Sequence, residues 1–184
     1  MRQQEFDRYI DVYTFSDRLK RLVWNIVWVL FFRPFALPVF NSYRRFVLKL
    51  FGARMDKGSK VYASARIWAP WNLEMGERSC IGPHAIVYNA GHVRIGKKVV
   101  ISQYAYLCTA THDYTSYHNT LYWKDIEIDD YAWIAARAFV GPGVHVGERA
   151  IIGACAVQTK DAEPYGIYGG NPSKYLKKRI MRDE

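Results

Sequence analysis

The stretch from residue 128 to 153, IDDYAWIAARAFVGPGVHVGERAIIG, carries an aliphatic side chain at every sixth position: Ile128, Ile134, Val140, Val146 and Ile152. Glycine follows three of them, in Val140-Gly141, Val146-Gly147 and Ile152-Gly153. An α-helix repeats its face about every 3.6 residues and a strand every two, so neither alone produces this period. Six residues suit one short strand and one tight corner. The aliphatic residue points inward, and the small residue beside it lets the backbone turn. Three such steps close a triangular coil of about 18 residues, and stacked coils pair their strands in parallel.

Outward from that stretch the same period runs back through most of the chain. Val61, Ile67 and Leu73 form one run. After a slip of two residues come Met75, Ile81, Val87 and Val93, and after another, Ile95, Ile101 and Leu107. The runs predict a mainly β chain: a parallel β-helix of about five coils over residues 53–165.

The period breaks once in the middle. Regular spacing is lost after Leu107 and resumes near Ile126, so residues 112–124 form an excursion from the coil. It holds His112, Asp113, Tyr117, His118, Tyr122 and Trp123. Loops held on a rigid scaffold are where chemistry concentrates. His112 stands at the root of the excursion, where a neutral imidazole can take a proton from a hydroxyl. Val87 and Leu107 stack 20 residues apart. That puts Tyr88 and Asn89 one turn before the His112 strand, where the Asn89 amide can either hold a hydroxyl or an oxyanion, or cap a corner. Asp113 can accept from an acceptor hydroxyl. His112 and His118 are six apart, and no metal-binding spacing is present, so no metal is expected.

Residues 1–52 have another texture, without glycine until Gly52. Phe15-Ser16-Asp17 offers helix N-cap candidates, and Leu19, Leu22, Val23, Ile26, Val27 and Leu30 follow at helical spacing. Pro34 and Pro38 end that helix, and a second pattern runs from Val39 to Phe51. Two readings stand for this segment. In the favoured one, Leu22, Val23, Ile26, Val27 and Leu30 pack on the first coil and cap its edges. In the other, the segment lies on a membrane surface with Trp24 and Trp28 at interfacial depth. Residues 166–184 carry Lys174, Lys177, Lys178 and Arg179 and read as a loop and a short basic helix.

Composition bounds the function. The chain has 184 residues, 50% apolar and 23% charged, which is globular and not disordered. A net charge of +9 invites an anionic partner, but the basic residues gather at the two ends and no nucleic-acid motif is present. The longest apolar run, Leu22 to Phe32, is too short to cross a bilayer, which needs about 20 helical residues. Cys80, Cys108 and Cys155 are far apart, which points to reduced, buried thiols and a cytoplasmic setting.

Taken together, Phe51-Gly52-Ala53, Ala69-Pro70-Trp71-Asn72-Leu73, Ile101-Ser102-Gln103, Leu107-Cys108-Thr109-Ala110-Thr111-His112-Asp113-Tyr114 and Gly169-Gly170-Asn171-Pro172 resemble the hexapeptide-repeat acyltransferases. Within that superfamily the chain is similar to the colanic acid type of exopolysaccharide O-acetyltransferase. Maltose, galactoside and Nod-factor acetyltransferases share several of these motifs. The resemblance implies a left-handed coil, a homotrimer with active sites between subunits, acetyl-CoA as donor and a saccharide acceptor, in some cases lipid-linked. It implies His112 as the catalytic base. It also puts Ala136, Ala154, Thr159, Lys160, Lys174 and Lys177 along the coenzyme. The alternatives are acetylation of a soluble sugar or small molecule, and a non-catalytic or metal-binding scaffold.

Overall fold

The computed structural model describes residues 12–182; the first eleven residues of the N-terminal segment lie outside it. Its body is a three-faced parallel β-helix. The first face stacks Arg54–Met55, Leu73–Met75, Val93–Ile95, Ile126–Ile128 and His145–Val146. The second stacks Lys60–Val61, Cys80–Ile81, Val100–Ile101, Trp133–Ile134, Ile151–Ile152 and Gly166–Gly169. The third stacks Arg66–Ile67, Ile86–Tyr88, Tyr106–Cys108, Phe139–Val140 and Val157–Gln158. Five turns are complete, and a sixth begins at Ala162, which bridges Val146.

The aliphatic ladders read from the period are the core. Val61, Ile81, Ile101, Ile134 and Ile152 lie one above another on the second face, and Ile67, Val87, Leu107 and Val140 on the third. All are buried, and each contributes on the order of 1.5–3 kcal/mol of burial. The turn length differs from the expected 18. Lower turns advance 20 residues, as in Lys60↔Cys80, because the first-face strand Leu73–Met75 turns both of its end side chains inward. This is the origin of the two-residue slips. Above the hairpin a turn advances 18, as in Trp133↔Ile151, and the last advances 16, as in Ile152↔Tyr168.

The corners also differ from expectation. Arg78, His84, Lys98, Tyr104, Tyr131, Arg137, Arg149, Cys155 and Tyr165 take the left-handed conformation there, so the bend does not depend on glycine. Gly76 is required for another reason: a Cβ on it would sit 2.6 Å from the Gly96 carbonyl carbon of the next turn. Long side chains on one corner interleave outside the coil, with the Arg149 guanidinium 4.4 Å from the Tyr131 ring centre. The three cysteines are unpaired, but Cys155 is exposed at a corner and not buried.

Helix α1 (Phe15–Val27) is capped by Thr14, one residue before the expected candidates. Thr14 Oγ1 accepts from the Asp17 N–H, and Asp17 returns a bond to the Thr14 N–H. Residues Trp28–Phe32 continue it as a wider π-helical turn. Trp24, Trp28 and Phe32 are spaced by four, which in an α-helix drifts about 40° per step; the wider turn keeps all three on one buried face. The favoured reading of packing holds, but through a different face. The helix docks through Trp24, Val27, Trp28 and Phe32, while Leu22, Val23, Ile26 and Leu30 stay exposed. Both faces are apolar. The indole N–H groups decide between them, because Trp24 and Trp28 donate to the Ile67 and Ala65 carbonyls in the first turn. Those bonds also remove both tryptophans from any interfacial depth.

Helix α2 (Asn41–Leu50) buries Arg44, Val47 and Leu48. The Arg44 guanidinium donates to the Val61, Phe35 and Leu37 carbonyls and to Asn41 Oδ1, so this arginine is a structural hub. At the other end the expected basic helix is a strand. Lys174–Lys178 pairs antiparallel with Gly166–Gly169. The last strand of the second face would otherwise present an open edge, and the tail folds back to cover it.

Candidate active site

The excursion is an ordered β-hairpin that starts earlier than expected. Ala110–His112 pairs antiparallel with Leu121–Trp123, in register Ala110↔Trp123 and His112↔Leu121. Turns on either side of it are 33 residues apart, against 20 below, thirteen more. Lys124 N–H donates to the Thr109 carbonyl as the chain re-enters the coil. At the tip, Asp113 Oδ1 accepts from the Thr115 N–H and hydroxyl at 2.9 and 2.6 Å. The Thr115 hydroxyl, then its N–H, hold the Asp113 carboxyl below the usual carboxylate range. Asp113 therefore braces the turn with one oxygen.

His112 is exposed, and its Nδ1 lies 2.5 Å from the Asn119 backbone oxygen. A carbonyl can only accept, so Nδ1 carries the proton in this contact. The neutral ring then presents the Nε2 lone pair outward, in the form a general base requires. His118 sits in the same tip with its Nδ1 buried.

Asn89 corrects the expectation of a substrate contact. It is fully buried; its Oδ1 accepts from the Ala69 N–H at 3.0 Å, and its Nδ2 donates to the Ala69 carbonyl at 2.6 Å. Its amide clamps two successive turns, which is the corner-capping alternative. Tyr88 is half-buried beneath Cys108, edge-on to Trp68 with ring centres 5.2 Å apart. Beside them, burial and then the Cys108 thiol push the Tyr106 phenol up to about 12.

A cleft of about 280 Å³ opens between α1, the first turns and the hairpin, lined by Tyr13, Arg21, Trp68, Trp71, Asn72 and Trp123 among others. The Tyr13 and Trp123 rings stack at 6.3 Å, and the Arg21 guanidinium lies 4.5 Å from the Tyr13 and Trp68 ring centres. Trp123 shares a hairpin face with His112, since Leu121 faces His112 and residues two apart point to the same side. Sequence reasoning missed Tyr13, Arg21 and Trp68. They come from segments too far apart in the chain for any local pattern to join. A larger concavity of about 640 Å³ lies on the first face, walled by ion pairs such as Arg54–Glu74 at 3.0 Å. No histidine or cysteine lines it.

The positions expected along a coenzyme fall in three places. Ala136 and Ala154 stack on the corner between the second and third faces, joined by the bond from Cys155 N–H to the Ala136 carbonyl. Thr159 and Lys160 follow the third-face strand Val157–Gln158, on the corner from which the hairpin departs two turns below. Lys174 pairs with Gly169 at the upper end, near the Ala154 corner, whereas Lys177 pairs with Ile167 in the middle of the second face. Among the described residues, no group of three or more His, Cys, Asp or Glu could hold a metal ion.

A six-residue period built into a parallel β-helix, with a histidine-bearing hairpin interrupting one turn, defines a class. The chain belongs to the hexapeptide-repeat acetyltransferase superfamily. A colanic acid biosynthesis acetyltransferase by name, WcaF of Escherichia coli (strain K12), is 35% identical over 142 residues, 77% of this chain and 78% of that protein. A maltose O-acetyltransferase from Clostridium difficile 630 superposes with a TM-score of 0.79 at 24% identity, over 91% of this chain and 90% of that one. A galactoside acetyltransferase in complex with coenzyme A superposes with a TM-score of 0.81 at 20% identity, over 92% and 85%. No family model matches the chain.

Proposed function

We propose that this acetyltransferase moves an acetyl group from acetyl-CoA to a sugar hydroxyl of an exopolysaccharide precursor, with His112 as general base. Nε2 takes the hydroxyl proton as the sugar oxygen attacks the thioester carbonyl. The carbon–sulfur bond then breaks, and the imidazolium returns its proton to the departing thiolate. The observation that carries this reading is the His112–Asn119 contact, which sets the tautomer before any substrate arrives.

The donor is supported by the coenzyme A held in the galactoside acetyltransferase structure, and by the small side chains at Ala136 and Ala154, which leave room beside the backbone. Lys174 would supply charge for phosphate at the upper end of that corner. A saccharide acceptor is supported by the aromatic cleft beside the hairpin, where ring faces stand next to the polar groups of Arg21 and Asn72. The name of the relative from Escherichia coli, which refers to colanic acid biosynthesis, supports an exopolysaccharide acceptor. The working unit would be a homotrimer with active sites between subunits.

The test is thiol release from acetyl-CoA with a panel of saccharides, followed by mapping the acetylated oxygen by NMR. Acceptor-dependent release with an acetyl ester on a sugar is the expected result. Release that no saccharide stimulates overturns the reading. Light scattering is expected to give three times the 21.4 kDa chain mass; a fully active monomer refutes the trimer.

A further inference from the structure

The face of α1 turned away from the β-helix is apolar from end to end. Phe15, Leu19, Leu22, Ile26 and Leu30 recur at spacings of four, three, four and four, and each is between 48% and 81% exposed. At helical geometry they form one stripe, opposite the buried Trp24 and Trp28. Leu19 and Val23 also border an apolar groove of about 440 Å³ whose far wall is Leu50 and Phe51, with Lys20 on its rim. Phe46 and Leu50 of α2 extend the same surface and stay exposed beside Lys49. Soluble proteins rarely leave a continuous apolar area of this kind without a use.

We infer that this face is the surface by which the protein docks on an anionic lipid bilayer. Charge selects that occupant. Residues 13–55 contain eight Lys or Arg and one acid, Asp17. Arg44 is buried, and Arg21 and Arg33 lie over rings, but Lys20 and Lys49 are exposed. A two-fold contact between copies would bring the same cations against themselves, whereas an anionic surface complements them. An apolar stripe with basic residues beside it is the pattern of a helix lying in the plane of the lipid interface. The tryptophans take no part, since their indoles are committed to the first turn. The inference does not depend on the acetyl-transfer reading.

The experiment is flotation of the full chain with vesicles of phosphatidylglycerol and phosphatidylethanolamine, compared with vesicles of phosphatidylcholine. The wild type is expected to float with the anionic vesicles. L22E/I26E, two changes at solvent-exposed positions, should lower binding by more than about tenfold while keeping the circular dichroism spectrum and activity on a soluble acceptor. K20E/K49E, which leaves the stripe intact, should weaken binding to anionic vesicles by about tenfold or more. Wild type that stays unbound, or L22E/I26E that floats as well as wild type, overturns the inference. A fall in the mass of L22E/I26E by light scattering also overturns it, and assigns the stripe to a contact between copies.

Discussion

The Trp24 indole N–H donates across 2.7 Å to the backbone carbonyl of Ile67, with both groups buried. Ile67 belongs to the lowest turn of the third face, which has a turn above it and none below. The helix thus closes an edge that would otherwise expose backbone groups. Trp24→Phe should lower stability by about 1–3 kcal/mol, because it strands a buried acceptor. Trp24→Ala should cost about 3–5 kcal/mol through the added cavity. Denaturant midpoints measure both, and an unchanged midpoint for Trp24→Ala contradicts the capping role.

His112→Ala is expected to reduce acetyl transfer by about 10²- to 10⁴-fold, the usual loss for a general base. The side chain is exposed at the hairpin, so the melting profile should hardly move. A variant that retains near-normal kcat with the true acceptor removes His112 from the chemistry.

Gly76→Ala should destabilise the coil by about 1–3 kcal/mol, as overpacking does. The new methyl would meet backbone atoms of the next turn at 2.6 and 2.7 Å, and those atoms can move only if the turns part. Gly141→Ala is the control, because its nearest neighbour is a ring carbon of Phe139 at 3.3 Å. Equal thermal midpoints for the two variants argue against close turn-to-turn approach as the reason for Gly76.

The Asp113 carboxyl is held below its ordinary range by Thr115, so the turn it braces is stabilised by the ionised form. That support is complete above the ordinary carboxylate range, around pH 4, and is lost as pH falls through the lower folded value. The protection factor of the Thr115 amide, its rate relative to the intrinsic rate at the same pH, should therefore hold at mildly acid pH and fall below that range. Asp113→Ala should show low protection throughout, whereas a pH-independent protection factor in the wild type contradicts the brace.

Tyr106 gives the opposite sign at the alkaline end. Burial raises its phenol to about 12, while the unfolded chain ionises near pH 10. Its contribution to stability is present below about pH 10 and fades as pH rises towards 12. Ultraviolet titration should show one tyrosine fewer ionising near pH 10 in wild type than in the unfolded chain. The difference should disappear in Tyr106→Phe.

Much of this was legible in the chain itself. A parallel coil needs one inward aliphatic residue per strand, so Ile128, Ile134, Val140, Val146 and Ile152 set both the period and the core. The broken period after Leu107 marked the hairpin, because the break is local in sequence. Tertiary structure alone decided the rest. Apolar residues stand on two faces of α1, and two indole N–H groups meeting the carbonyls of Ile67 and Ala65 chose which face is buried. The sequence allows Asn89 either a substrate contact or a corner cap, and the carbonyl and N–H of Ala69, 20 residues earlier, take up its amide as a cap. The basic tail became a strand because the sixth turn left an edge to cover. Each of these outcomes depends on hydrogen-bond partners supplied by distant segments, and no periodicity along the chain records where those partners will stand.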